Sequence, residues 1–135
     1  MNYIIDTNII TALMKDREEV KTKAQEVILL GNNVFINGIS YYEIKRGLLL
    51  NDAHRQMNFF ERICIQFDLL FLDRVKIFDT AAEIWADLKE NGLTIEDADI
   101  LIASVAHSMN SVLVTDNIKH FENIEDLTVE NWIDR

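Results

Sequence analysis

Proline is missing from all 135 residues. No tract is of low complexity and no segment repeats, so nothing marks a linker or a repeat array. Cysteine occurs once, at Cys64, which rules out an internal disulfide and suits a reducing, cytoplasmic setting. No stretch approaches the roughly 20 apolar residues needed to cross a bilayer, so no membrane role is expected. The opening run from Met1 to Asp6 has no basic lead-in and no long apolar core, and a signal peptide is not expected. Positive charge is scarce: 13 Lys and Arg stand against 23 Asp and Glu, a formal −10. That is the wrong sign for a protein that grips nucleic acid by phosphate contacts alone. Either the acids solvate the surface, or some form a site that stays repulsive until cations fill it. An acidic surface also suits a basic protein partner.

Apolar residues make up 49% of the chain, enough for a real core within one domain spanning residues 1–135. Short apolar runs predict strands at Tyr3–Ile5, Val34–Asn37, Ser111–Thr115 and, as a buried strand, Leu69–Leu72. Thr128–Glu130 reads as an edge strand. Helical spacing predicts helices over Ile9–Lys15, Glu18–Leu30, Ser40–Leu50, Asn51–Phe67, Val75–Glu90 and Ile95–Met109. Gly31 and Asn91-Gly92 supply two of the stops, and a short turn or helix covers Asn117–Phe121. Strands that are apolar throughout and alternate with helices indicate an α/β fold, a three-layer α/β/α sandwich around a mostly parallel sheet.

Several acids do not sit where surface acids sit. Asp6 ends the first strand and precedes a helix start, on the rim where open α/β sheets bind ligands; a turn aspartate is the alternative. Ser40 to Glu43 matches the S-x-x-E capping box, so Glu43 reads first as a cap. Gly47, one turn along, either leaves space beside that carboxylate or permits close helix packing. Asp99 falls beside Ile95, Ile102 and Ala106 on a helix that is apolar nearly all round. A carboxylate there needs a cation or several donors. Asp97 points about 200° away from it, and Thr94 to Asp97 resembles a second capping box, which makes Asp97 a helix-start acid or an outer-sphere one. Asp116 ends another strand, and is a rim acid or a turn acid.

The four segments Tyr3–Asn8, Ile39–Gly47, Asp97–Ala103 and Leu113–Phe121, with Val129–Trp132 as the ending, resemble the PIN-domain family, and within it VapC-type toxins of toxin–antitoxin pairs. The resemblance implies a Mg²⁺- or Mn²⁺-dependent endoribonuclease acting on structured RNA such as tRNA. It also implies a VapB-type antitoxin as partner and a toxin homodimer. Asp6, Glu43 and Asp99 fall on the family's three most dependable acids, and Asp116 or Asn117 on the less uniform fourth. Where many relatives carry an acid before the phenylalanine, this chain has His120. Carboxylates without His or Cys favour hard cations over zinc, and such an ion activates a water rather than a protein nucleophile. The catalytic and metal set is then Asp6, Glu43, Asp99 and Asp116. Asn8, Thr115, Asn117, Lys45, Arg46, Lys119 and His120 are candidate substrate contacts.

Three rival readings stand beside this one. Phosphatase chemistry on Asp6 wants an aspartate where Asn8 stands, and no lysine-bearing strand end supports a receiver domain. A metal-silent module that only binds partners, or a nuclease directed at DNA, shares the same acids.

Overall fold

The computed structural model describes residues 1–135. Five strands form one wholly parallel sheet: β1 (Asn2–Ile5), β2 (Asn33–Asn37), β3 (Asp68–Leu70), β4 (Val112–Val114) and β5 (Thr128–Glu130). Their order is β3-β2-β1-β4-β5. Parallel strands need crossovers, which are α1 (Thr7–Met14) and α2 (Glu18–Leu29), α3 (Gly38–Leu50) and α4 (His54–Gln66), and α5 (Val75–Glu90) and α6 (Asp97–Ser108), with the short α7 (Ile118–Phe121) before the last strand.

Side chains alternate across the sheet, as the period of two demands. Ile5, Val34, Ile36, Val112 and Val114 pack with α1 to α4, while Ile4 and Leu113 pack with α5 and α6. Both faces are therefore covered, and the three-layer sandwich follows. Trp132 packs over β1 in the core shared with α1 to α4, its ring centroid 5.7 Å from that of Tyr3. No helix is long and apolar enough to cross a membrane.

Several expected elements differ; the helix expected over Asn51–Phe67, for one, runs only from His54 to Gln66, with Asn51 ending the helix before it. Leu69–Leu72 is not a buried strand: β3 is shorter, begins at Asp68 and lies at the sheet edge with its residues half-buried or exposed. The helix expected from Ile95 starts at Asp97, with Glu96 extended (ψ 150°) at its cap position, so the Thr94 to Asp97 box does not form. The start shifts because a cap residue must be extended, and Glu96 is the residue the chain leaves in that conformation.

Gly47 lies inside α3, and a Cβ placed on it would meet nothing within 4 Å. Close helix packing therefore does not account for this glycine. Gly47→Ala is expected to stabilise the fold by about 1 kcal/mol, read as a higher Tm.

Candidate active site

The strand order reverses at β1. The chain runs outward from β1 through β2 to β3, then returns past β1 to β4. In open α/β sheets the crevice beyond the carboxyl ends at such a reversal is where ligands bind. Here it lies between Asp6, just after β1, and Thr115 and Asp116, just after β4.

Asp6 is the buried acid of the site, 5% exposed. It is extended at the cap of α1, and its two oxygens have separate donors: the Thr7 amide at 2.7 Å and the Thr115 hydroxyl at 2.8 Å. Burial pushes its pKa above the ordinary aspartate value, and the nearby Asp99 and Glu43 carboxylates push the same way, against the two hydrogen bonds. Thr115 is itself held, accepting from the Asn117 amide (3.0 Å) and from Asn8 Nδ2 (3.3 Å). Asn8 in turn accepts from the Asp116 amide at 2.9 Å, so it ties the start of α1 to the end of β4.

Glu43 is not the second half of a capping box. Asn37, fully buried at the end of β2, caps α3 by accepting from the Ser40 amide at 2.8 Å. The cap therefore lies three residues before the one the pattern suggested, and Glu43 sits in the second turn of the helix. The Asn37 amide group also donates to the Ile5 carbonyl at 3.1 Å, which fixes α3 against the end of β1. The result places Glu43 Oε1 2.9 Å from the Thr7 hydroxyl, itself 2.8 Å from Ser40 Oγ. An ionised Glu43 only accepts, so the single Thr7 proton goes to it and Ser40 donates to Thr7.

Asp99 lies in the first turn of α6, where the helix dipole favours an acid. Its helix is buried as expected from Ile102 to Ala106, but the Asp99 side chain is 22% exposed and faces the cleft. The deeply buried acid is thus Asp6 rather than Asp99. His120 Nδ1 stands 3.1 Å from Asp99 Oδ2 and 2.9 Å from Asn117 Nδ2; protonated there it donates to the acid, unprotonated it accepts from the amide. Asp97 is exposed and does not line the cleft.

Asp116 enters the same cleft, but its carboxylate is already occupied. Arg135 grips it bidentately, Nη1 to Oδ1 at 2.5 Å and Nη2 to Oδ2 at 2.6 Å, and Asn131 adds a bond at 3.0 Å. The guanidinium holds its carboxyl below the usual aspartate range. The expected basic contacts divide. Arg46 lies 4.0 Å from Glu43 Oε2 and stacks over Tyr42, whereas Lys45 turns to Tyr41 and Glu61. Lys119 is exposed, and neither it nor Lys45 lines the cleft. Sequence reasoning missed Thr7, Asn37 and Arg135. An Asn at a strand end is a cap signal as good as Ser40; nothing in the sequence ties Arg135 to Asp116.

The cleft encloses about 460 Å³. Asp6, Glu43 and Asp99 offer oxygen donors only, which fits a hard divalent cation, and their mutual repulsion on Asp6 is what such an ion relieves. As they stand, no three acidic, His or Cys side chains are close enough together to hold a metal ion. An ion here would have to keep waters in its shell or draw the carboxylates toward it.

Residues 3–127 match the PIN domain family. The chain is 32% identical to ribonuclease VapC1 of Haemophilus influenzae strain R2866, over 98% of each chain. It is equally identical, 32% over 98% of each, to ribonuclease VapC2 of Rickettsia felis. Among solved structures it is similar to VapBC2 from Rickettsia felis bound to a DNA fragment from their promoter, with a TM-score of 0.92 and 27% identity over 98% of this chain and 100% of that one. The structure of VapBC-1 from nontypeable Haemophilus influenzae aligns with a TM-score of 0.86 and 29% identity over 98% of each chain.

Proposed function

Because the chain belongs to the PIN-domain family, alongside the VapC ribonucleases, we propose that it is a divalent-metal-dependent endoribonuclease, the toxin of a VapBC-type pair. The observation that carries this reading is the convergence of Asp6, Glu43 and Asp99 from three separate elements on one cleft at the sheet's reversal point. The substrate is structured RNA such as tRNA. The partner is a VapB-type antitoxin, which the complexes formed by the Rickettsia and Haemophilus relatives support. We assign the protein to the cytoplasm as a homodimer.

Asp6, Glu43 and Asp99 would hold Mg²⁺ or Mn²⁺, and Asp116 joins them only by giving up Arg135. When bound, such an ion supplies an activated water and stabilises charge on the scissile phosphate. The protein's own part is to orient and to hold charge. The Thr7 amide and Thr115 hydroxyl fix both Asp6 oxygens, and the Thr7 hydroxyl fixes Glu43. Asp99 is placed by the first turn of α6, with His120 against its outer oxygen. The strand break proposed is hydrolytic: water adds to the phosphorus and a ribose oxygen leaves.

The test is incubation of the purified protein with tRNA and with single-stranded DNA, each with Mg²⁺ or Mn²⁺ and each with EDTA. RNA cleavage that needs the metal is expected. Cleavage of DNA alone would move the assignment to a DNA-directed nuclease, and no cleavage of either would leave only a binding module.

A further inference from the structure

One cleft is lined by two chemically different sets of side chains: Asp6, Glu43 and Asp99, and beside them Lys15, Arg17 and Arg135. In a chain with ten more negative than positive charges, three cations gathered beside the acids are conspicuous. Each is presented differently. Lys15 is exposed at the end of α1 and enters none of the protein's ion pairs. Arg17 pairs with Glu19 at 2.6 Å and donates to the Asp134 carbonyl at 3.1 Å, while Glu19 accepts from the Asp134 amide at 3.3 Å. Those bonds pin the segment that ends in Arg135. Arg135 spends two of its five N–H groups on Asp116, and its side chain remains 66% exposed.

We propose that Lys15, Arg17 and Arg135 form the track along which the RNA backbone lies, and that Asp116 is a positioning residue that holds the Arg135 guanidinium with its free donors turned to a phosphate. A guanidinium is suited to this because its planar fork can satisfy a carboxylate on one edge and a phosphate on the other. The track also answers the charge problem: the cleft that carries the acids also offers the RNA backbone three cations. Lys45 and Lys119, which have the right charge, lie outside the cleft. The inference rests on the nuclease reading above.

Labelled tRNA binding, followed by anisotropy over a range of salt concentrations in an Asp99→Asn background to prevent turnover, tests it. Lys15→Gln and Arg135→Gln should each weaken binding about five- to tenfold and lower the log–log salt slope by about one. Arg135→Lys should keep the slope, and the charge control Lys76→Gln, on α5, should change neither. Asp116→Asn should weaken tRNA binding toward the Arg135→Gln level, and calorimetry reads the Mn²⁺ affinity of the same variant in the otherwise native chain. Circular dichroism checks the fold of each variant, and Lys15→Gln carries the test if Arg135→Gln unfolds. If the native chain cleaves RNA but Lys15→Gln and Arg135→Gln bind it as tightly as their parent, the track is wrong and the nuclease reading stands. Loss of Mn²⁺ affinity in Asp116→Asn with unchanged RNA binding would make Asp116 a metal ligand instead. If the native chain neither binds nor cleaves RNA, both readings fall.

Discussion

Asp99→Asn should cut metal-dependent RNA cleavage by more than about a hundredfold while making the metal-free protein more heat-stable at neutral pH. Outer-shell partners of a metal are worth roughly 10–100-fold in activity, so a carboxylate offered to the ion itself should exceed that range. Asparagine keeps the size of the side chain and a partner for His120. The stability gain has a different origin. Asp99 is one of the charges that raise the pKa of buried Asp6. An acid whose folded pKa is raised adds stability below its unfolded pKa and loses it as pH rises through the folded pKa. At neutral pH the native chain therefore carries a repulsion that the variant lacks, and the difference should shrink as pH falls through the folded pKa of Asp6. Divalent metal should reverse the ranking, since an ion at a hundred times its Kd stabilises only the chain that binds it, by about 2.7 kcal/mol. Thermal melts with and without Mg²⁺, beside a cleavage gel, read all three effects. Undiminished cleavage by the variant would remove Asp99 from the site.

Thr115→Val should cost about 2–4 kcal/mol of stability, a large share of the 5–15 typical of a domain. The two side chains are nearly equal in volume, so the change isolates the hydroxyl. That hydroxyl is fully buried, donates to Asp6 and accepts from the Asn117 amide and Asn8. Its removal strips a donor from a buried carboxylate and orphans two further polar groups. Without the bond the pKa of Asp6 rises further, so the acid limb of the activity profile should move to higher pH. Thr115→Ser restores the oxygen and should restore most of both. A Thr115→Val protein with native stability and an unmoved acid limb would show that Asp6 does not depend on this bond.

How far the site was legible depended on how far each acid's surroundings lay along the chain. Asp6 announced itself by ending an apolar strand before a helix start, which is local information. Its depth of burial was not readable, because the donor that matters, Thr115, lies 109 residues away. Glu43 was obscured by a competing local pattern: Ser40 and Glu43 have the spacing of a capping box, but the end of β2 at Asn37 sets where α3 begins. The apolar character of α6 correctly indicated a buried helix. It misplaced Asp99 within that helix, since a start at Asp97 puts the acid at the open end. The three inner strands of the sheet, by contrast, were well marked, because strands covered on both faces leave apolar runs.

The parallel sheet has one more consequence, for synthesis. Its central strand, β1, is made first, yet its partner β4 is made only after residue 111, and the Asp6 amide bonds to the Val114 carbonyl at 2.9 Å. Long-range pairings of this kind form late, because the loop must be closed before any contact rewards it. A ribosome-bound chain that stops short of β4 has Asp6 and Glu43 but no Thr115 to hold the first of them. The cleft is therefore completed only after β4 has emerged and paired with β1, and until then a growing chain carries no finished site.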